Sequence, residues 1–327
     1  MAKVKNFWKT LKRPIMAFAP MANVTDEAFR HMFALSGTPP DVFWTEFVSV
    51  EGLLSRGKER LLPDLWFSAN EHPIVAQIFG AKPEQFEEAA AIIRNLGFDG
   101  VDINMGCPDR AVEKQGAGAM LMKNPTLAQE IIRATKRGVR GLPVSVKTRI
   151  GYTKSQIGEW IPALLEEDLA ALTVHLRTRK EMSLVPAHWE LASDITALRN
   201  RYAPGTVLLG NGDIASREDA ETRVAASGFD GAMIGRGVFG NPWFFSGKIP
   251  ILRKRLQGMV RHTELFEQLY KSNASKKSGA LKNFDVMKKH FKAYCSGFDG
   301  AKELRIRLMG AKNAAEVKEI TMAFLAR

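Results

Sequence analysis

The segment Gly100-Val101-Asp102-Ile103-Asn104-Met105-Gly106-Cys107-Pro108 decides the fold assignment. Its first four residues are typical of a buried strand, and the next five form a turn punctuated by glycine and proline. Such a turn holds a cysteine on rigid backbone at the carboxyl end of a strand. Because the loops after the strands build the active sites of α/β barrels, this position predicts a chemical role for Cys107. The alternative is a small buried apolar side chain, as many free cysteines are.

The same strand-like pattern recurs through the first 245 residues, and helical patterns alternate with it. Together with residues 100–106, the predicted strands are residues 15–20, 42–48, 73–80, 143–150, 172–178, 207–213 and 231–237. Amphipathic segments such as residues 83–96 and 125–137 lie between them. Eight strand–helix units in about 240 residues predict an α/β fold, a (β/α)₈ TIM barrel over residues 1–245. A doubly wound open sheet is the competing topology, but no Gly-x-Gly-x-x-Gly motif follows the first strand.

After residue 245 the strand pattern ends, and we expect a C-terminal all-helical domain over residues 246–327. One predicted helix carries an apolar stripe formed by Leu281, Phe284, Met287, Phe291, Tyr294 and Cys295. Lys282, Lys289 and Lys292 fall largely on the opposite side of this helix. A further helix is predicted over residues 314–326, and residues 272–279 read as a polar connection.

The charge of the chain is concentrated in this helical region. Residues 246–327 contain 18 lysine and arginine residues against 7 aspartate and glutamate residues, so they carry +11 of the net charge of +12. A neutral body with a basic tail predicts that one part of the protein holds a polyanion and the other processes it. Lys282, Lys289 and Lys292 are therefore candidate contacts to the phosphates of a nucleic acid. The alternative is a solvated basic surface with no partner.

Composition narrows the class of protein. The 327 residues are 45% hydrophobic and 25% charged, with no run of 18 apolar residues, so we expect a soluble protein with no membrane partner. Residues 1–13 are basic and lack a following apolar segment, so no secretory signal is predicted. With only Cys107 and Cys295 present, we expect no structural disulfide and a cytoplasmic location. We also expect a monomer with no metal site.

Polar residues and glycines recur where the predicted strands end, which would place them around one mouth of the barrel. They are Pro20 with Met21, Glu46, Gln77, Asn104, Lys147 with Arg149, His175 with Arg177, Asn211 with Gly212 and Asp213, and Gly235 with Arg236. So many polar groups at equivalent positions predict a binding site.

The nature of these groups predicts the ligand. Glycine-bearing turns after strands seven and eight often form a phosphate site in barrels, and Arg236 adds a permanent charge there. Lys147 interrupts a buried strand, which is costly unless its ammonium meets an electron-rich group. Gln77 offers the donor and acceptor needed to read the edge of a pyrimidine-like ring. Together these groups predict a flavin mononucleotide (FMN) across the barrel mouth.

At these residues the chain resembles the tRNA-dihydrouridine synthases. The matching segments are residues 19–21, 24–26, 29–30, 77, 104–108, 116–118, 125, 147–149, 175, 211–214 and 235–245. The resemblance implies an FMN-binding barrel, a helical RNA-binding tail, NADPH as reductant and a uridine of folded tRNA as substrate. The chain departs from the family pattern at Leu176, where the family usually has glycine, and over residues 180–188.

The resemblance also implies roles for individual residues. The residues expected to bind FMN are Pro20, Met21, Gln77, Lys147, His175, Asn211, Gly212, Asp213, Gly235 and Arg236. Asn104 and Cys107 would face the uracil, and Arg149 and Arg177 are expected to contact the substrate RNA.

The resemblance implies reduction of the C5=C6 bond of a uridine, and the thiol of Cys107 suits the role of general acid. An ordinary thiol, with a pKa of about 8.5, is mostly protonated at neutral pH and can give up a proton without prior activation. One alternative is an FMN-dependent dehydrogenase of a free pyrimidine such as dihydroorotate, but the basic tail argues against a small substrate. Another is a non-catalytic RNA-binding protein on a barrel scaffold, and the presence of Cys107, Lys147 and His175 argues against it.

Overall fold

The computed structural model describes residues 6–270 and 282–327, and its centre is a parallel sheet of eight strands. The strands are β1 (Ile15–Phe18), β2 (Phe43–Ser49), β3 (Ile74–Phe79), β4 (Gly100–Met105), β5 (Val144–Arg149), β6 (Ala171–His175), β7 (Val207–Asn211) and β8 (Gly231–Ile234). Every predicted strand is present. All of them except β2 are shorter than predicted, chiefly because their final residues belong to the loops that follow.

The sheet curls round until its two outer strands meet. Its order is β1-β8-β7-β6-β5-β4-β3-β2, and a parallel bridge joins Ala17 of β1 to Val42, the residue before β2. The Phe18 N–H also donates to the Val42 carbonyl at 3.0 Å. This topology confirms the predicted TIM-barrel architecture and argues against an open doubly wound sheet.

Helices follow the strands, as the alternating pattern predicts. Those of the barrel are α1 (Glu27–Ala34), α2 (Val50–Leu54), α3 (Pro83–Asn95), α4 (Arg110–Glu113), α5 (Pro125–Val139), α6 (Ile157–Leu165), α7 (Ala192–Tyr202) and α8 (Arg217–Ser227). The start of α5 shows the local cause, since Pro125 occupies a first-turn position and the Asn124 side chain accepts the Leu127 N–H at 3.1 Å.

The barrel interior changes character along the strands. Ala171 and Val207 occupy the amino-terminal ends of β6 and β7 in an apolar cluster with Trp8, which fills that end of the barrel. His175 and Asn211 occupy the carboxyl-terminal ends of the same strands, in register with each other. Because side chains alternate between the two faces of a strand, these residues share the interior face. The polar end of the barrel is therefore the end where the strands stop, as the sequence predicts.

The chain after the barrel is helical in its described parts. The helices are α9 (Leu252–Tyr270), α10 (Met287–Tyr294), α11 (Ala301–Met309) and α12 (Ala314–Leu325). Leu281 and residues 272–279, to which the sequence assigned part of a helix and a connection, lie outside the described residues. Within residues 6–270 and 282–327, no helix is both long enough and apolar enough to span a membrane.

These helices pack directly on the barrel. One continuous hydrophobic core contains Phe18 and Phe29 of the barrel together with Leu256 and Phe291 of the later helices. At the end of α9, the Tyr270 hydroxyl accepts the backbone N–H of Glu27 at 3.2 Å. The division of the chain at residue 245 into two domains stays a prediction.

Candidate active site

A cavity of about 220 Å³ opens at the carboxyl ends of the strands. All the predicted cofactor residues except Gln77 line it, namely Pro20, Met21, Lys147, His175, Asn211, Gly212, Asp213, Gly235 and Arg236. Ala19, Ser183, Ile214, Met233 and Gly237 complete the lining. The strand ends that the sequence singled out from β1, β5, β6, β7 and β8 therefore do form one site.

Two turns that line the cavity contain backbone N–H groups without an acceptor. The turns are residues 212–214 and 235–237, and the N–H groups of Asp213, Ile214 and residues 235–237 have no hydrogen-bond acceptor in the described part of the chain. Gly212 has φ of 134°, and a Cβ there would lie 2.7 Å from the Ala187 Cβ, so the turn requires glycine. A Cβ on Gly237 would lie 2.4 Å from the Ile214 carbonyl oxygen. Backbone N–H groups without an acceptor, in glycine-bearing turns beside a cavity, suit a bound phosphate.

Lys147 presents an unpaired charge to the same cavity. Its ammonium has neither a hydrogen bond nor an ion pair within residues 6–270 and 282–327. Burial and the nearby Arg149 guanidinium lower the pKa of Lys147 to about 8, against an opposing effect of Asp102. The ammonium is therefore still mostly protonated at neutral pH and is free to meet an electron-rich ligand atom.

His175 is held as a neutral ring. Burial, together with Arg149, Lys147 and Arg177, lowers the pKa of His175 well below its usual value. The Arg177 Nη1 lies 3.2 Å from His175 Nε2. Because a guanidinium only donates, Nε2 must accept and the ring proton resides on Nδ1. His175 can thus donate one hydrogen bond to a ligand without adding charge.

Gln77 is not part of the cavity lining, and the expectation that its amide reads a ring edge stays a prediction. It is fully buried, and its Nε2 donates to Asp102 Oδ2 at 2.6 Å. Its Oε1 accepts from Asn104 Nδ2 at 3.0 Å. The amide therefore already holds protein partners on both its donor and its acceptor side. The sequence could not show this, because Asp102 and Asn104 belong to a different strand.

Cys107 lies on the turn after β4 and is not part of the cavity lining, but the charges of the cavity residue Lys147 and of Arg149 both act on its thiol. Its backbone N–H donates to Asn104 Oδ1 at 2.9 Å, which fixes the turn. Burial raises the pKa of the Cys107 thiol, while a hydrogen bond from the Asp109 backbone N–H and the charge of Lys147 oppose that rise. The thiol is therefore protonated at neutral pH, and it forms no disulfide.

Arg149 and Arg177 are both buried and hold neighbouring loops, and their expected contact with the substrate RNA stays a prediction. Arg149 is 6% exposed, and its Nε donates to the Gly106 carbonyl at 2.8 Å. Arg177 is 2% exposed, and it donates to the Val185 carbonyl at 2.6 Å and to the Asp213 carboxylate. Most of the hydrogen bonds that these two guanidinium groups donate go to residues of neighbouring loops.

Residues 178–189, which include the segment that departs from the family pattern, pack against the cavity. Trp189 Nε1 donates to the Gly212 carbonyl at 2.9 Å, and the Ala187 N–H donates to Asp213 Oδ2 at 2.9 Å. Ser183 of this segment lines the cavity, although sequence reasoning did not single it out. Leu176 is fully buried in the core, so the fold accommodates leucine where the family usually has glycine.

Lys282 is the clearest correction to the predicted RNA surface. It precedes α10 instead of lying on it, and its side chain is only 10% exposed. Its Nζ lies 2.8 Å from Glu46 Oε2 and 2.8 Å from Asp64 Oδ1. Burial lowers the pKa of Lys282, but Asp26, Glu46 and Asp64 outweigh it and hold this pKa above its usual value. Lys282 joins the helical region to the barrel and is not available to a phosphate.

The other two predicted lysines are placed as expected. Lys289 and Lys292 are exposed on α10, whereas Met287, Phe291 and Tyr294 of the same helix are buried. The amphipathic pattern is therefore confirmed for residues 287–294, and both lysines can meet solvent or a partner.

A family model described as "Dihydrouridine synthase (Dus)" matches residues 17–326. The chain belongs to the dihydrouridine synthase family. It is 45% identical over 328 residues to a probable tRNA-dihydrouridine synthase of Staphylococcus epidermidis, covering 99% of this chain and 97% of the relative. It is also 44% identical to the probable tRNA-dihydrouridine synthase 2 of Bacillus subtilis, covering 97% and 95%. The family that the sequence resembles is thus confirmed, and with it the enzyme class.

Solved structures share the barrel at much lower identity. Histamine dehydrogenase from Rhizobium sp. 4-9 is 13% identical with a TM-score of 0.52, over 76% of this chain and 48% of that one. The 6-hydroxypseudooxynicotine amine oxidase from Pseudomonas geniculata N1 is 14% identical with a TM-score of 0.53, over 84% and 52%. The dihydrouridine synthase chain spans about half of each, and the likeness shows the fold alone.

Proposed function

We propose that this protein reduces the C5=C6 bond of specific uridines in tRNA to 5,6-dihydrouridine, with bound FMN as cofactor and NADPH as reductant. Membership of the dihydrouridine synthase family and the names of the relatives support this function. The observation that carries it is the cavity, where unpartnered backbone N–H groups and an unpaired lysine lie beside the turn of a protonated cysteine.

The residues present fit FMN. Residues 212–214 and 235–237 supply N–H groups for the phosphate, and the exposed Arg236 adds positive charge at the same place. The Lys147 ammonium suits an electron-rich edge of the ring system, and the neutral His175 suits an acceptor. Met21 supplies an apolar contact surface. Bare phosphate or a sugar phosphate would leave the Lys147 end of the cavity without a matching group.

Cys107 has the protonation state that the second half of the reaction requires. When bound and reduced, FMN supplies a hydride to C6 of the uracil. C5 must then gain a proton, and the Cys107 thiol carries one at neutral pH because burial raises its pKa. A positioned acid of this kind contributes about 10²–10⁴-fold to a rate. Asn104 holds the turn through its hydrogen bonds to the Gly106 and Cys107 N–H groups.

The helical region supplies contacts to the RNA in this proposal. A uridine must leave its stack to reach a cavity, so the protein has to hold the surrounding RNA. Lys289 and Lys292 are exposed and belong to the part of the sequence that carries +11 of the net charge. Phosphate contacts of this type depend on salt and do not depend on sequence. A monomer acting in the cytoplasm, where tRNA is processed, completes the proposal.

Mapping of dihydrouridine in cellular RNA tests this function. RNA from cells with and without the gene is digested and the modified positions are located by mass spectrometry. We expect specific tRNA positions to change from dihydrouridine to uridine when the gene is absent, and to be restored by the wild-type gene but not by Cys107→Ala. Identical maps from the two strains would contradict the proposal. Oxidation of free dihydroorotate by the purified protein would instead favour the free-pyrimidine alternative.

A further inference from the structure

A line of hydrogen bonds crosses the barrel interior from β5 to β3. The Ser145 hydroxyl donates to Asp102 Oδ1 at 2.6 Å, and Gln77 Nε2 donates to Asp102 Oδ2 at 2.6 Å. Asn104 Nδ2 then donates to Gln77 Oε1 at 3.0 Å. Strand register explains the arrangement, because Asp102 lies opposite both Gln77 and Ser145. Asp102 is thus the one carboxylate in this line of hydrogen bonds, and its other members are neutral.

The line ends at the turn that carries Cys107. Asn104 Oδ1 accepts the N–H groups of Gly106 and Cys107 at 3.1 and 2.9 Å. Asn104 is 6% exposed, and Gln77 and Asp102 are fully buried. Water therefore has little access with which to replace these bonds.

The carboxylate dictates which way each amide points. An ionised carboxylate only accepts, so it requires the Gln77 NH₂ group and leaves Gln77 Oε1 facing Asn104. That oxygen requires the Asn104 NH₂ group and leaves Asn104 Oδ1 for the two backbone donors. A reversed Gln77 amide would set its NH₂ group against that of Asn104. The direction of every bond thus follows from Asp102.

The choice of an acid at this position is informative. Burial raises the pKa of Asp102 to about 6, while the hydrogen bonds from Gln77 and Ser145 and the charge of Lys147 oppose that rise. The group is mostly ionised at neutral pH, yet it forms no ion pair within residues 6–270 and 282–327. A buried charge without a paired counter-charge is costly, so packing alone does not explain an aspartate here.

We infer that Asp102 is a positioning residue for Cys107, acting through Gln77 and Asn104. It fixes the polarity of the hydrogen-bond line and so holds the turn that presents the thiol. The catalytic consequence rests on the proposed function, whereas the geometric consequence can be measured without RNA or flavin.

Hydrogen exchange of the Gly106 and Cys107 amides tests the geometric consequence in flavin-free protein. Asp102→Ala should raise the exchange of both amides by about tenfold or more, because the line loses its fixed acceptor. Asp102→Asn should stay within about threefold of wild type. Its carbonyl can still accept from Gln77, and the Ser145 hydroxyl can turn to accept its NH₂ group. Gln77→Met, which removes the amide but keeps Asp102, should behave like Asp102→Ala.

Turnover gives the second measurement, at pH 7 with saturating FMN and tRNA. Asp102→Ala should lower kcat for uridine reduction by about tenfold, with KM for tRNA and flavin reduction by NADPH changed by less than about threefold. Asp102→Asn should restore kcat. This split separates positioning of the thiol from general damage to the barrel, which would impair both half-reactions.

Two results would overturn the inference. One is wild-type exchange at Gly106 and Cys107 in both Asp102→Ala and Gln77→Met. The other is an Asp102→Asn variant as impaired as Asp102→Ala, because charge and not bond polarity would then be decisive. If Asp102→Ala does not fold, the exchange of Gln77→Met decides alone. Failure of the wild-type protein to reduce uridine would contradict the proposed function, while the exchange measurements would still decide the role of Asp102.

Discussion

Replacement of Lys282 by alanine should destabilise this protein, although the sequence places that residue on an exposed helix face. The Lys282 ammonium lies 2.8 Å from carboxylate oxygens of both Glu46 and Asp64. Its nitrogen also lies 5.6 Å from the centre of the Tyr270 ring. Alanine would leave two carboxylates facing each other at the contact between the barrel and the helical region.

The size of the effect follows from burial. Breaking a buried ion pair by removing one partner costs about 3–5 kcal/mol, because the other charge stays buried without compensation. Glu46 is 4% exposed, so without Lys282 it must either stay charged without compensation or take up a proton, whereas Asp64 is 26% exposed and can regain water. We therefore expect the free energy of unfolding to fall by about 3 kcal/mol, at the lower end of that range.

The dependence on pH gives the effect a signature. Burial already raises the pKa of Glu46 to about 7 with Lys282 present, so loss of the lysine raises that pKa further. When a carboxyl group has a higher pKa in the folded state than in the unfolded state, the protein becomes less stable as pH rises from the unfolded-state pKa towards the folded-state pKa. The variant therefore loses stability over a wider pH range than wild type, and its deficit should be larger at pH 8 than at pH 5.

Urea unfolding of Lys282→Ala and Lys289→Ala at both pH values measures this. Lys289 is exposed on the next helix, so its removal should change the free energy of unfolding by no more than about 0.5 kcal/mol. Equal stability of the two variants at pH 8 would refute the buried ion-pair cluster and return Lys282 to the solvated surface.

Three further predictions concern the site and the RNA. The purified protein should bind FMN noncovalently, and Lys147→Ala should weaken that binding. The affinity for FMN, followed by flavin fluorescence, should fall as pH rises through about 8, where Lys147 loses its proton. An affinity that does not change with pH would exclude an ionic role for Lys147. Cys107→Ala should keep the flavin and its reduction by NADPH while uridine reduction falls by about 10² or more, and equal loss of both half-reactions would make Cys107 structural. Lys289→Glu combined with Lys292→Glu should raise KM for tRNA and flatten its salt dependence without affecting flavin reduction. An unchanged salt slope would show that α10 does not contact the RNA.

The barrel could be predicted because its signals are local. Apolar runs ended by glycine, proline and polar residues repeat along the chain, and each run predicts a strand from its own residues alone. Residues such as Lys147, His175 and Asn211 were found because the carboxyl ends of barrel strands converge whatever their sequence separation.

The residues that were misplaced depend on distant partners. Glu46 is 236 positions from Lys282, and no local pattern announces that contact. A local signal did exist, because asparagine is a preferred residue just before a helical turn. In the structure the Asn283 side chain accepts the Asp285 N–H, so the turn begins after Asn283 and Lys282 lies outside the helix. The ion pair of Arg177 is likewise invisible in the local sequence, because its partner Asp213 lies 36 positions away.

Uridine reduction by the purified protein is the most direct measurement of all. The protein is incubated with FMN, NADPH and an unmodified tRNA transcript, and the RNA is then digested and analysed by mass spectrometry. We predict dihydrouridine at defined positions with wild-type protein, and about one hundredth of that rate or less with Cys107→Ala. Wild-type protein that binds flavin and oxidises NADPH but leaves every uridine of the transcript unreduced would contradict the account.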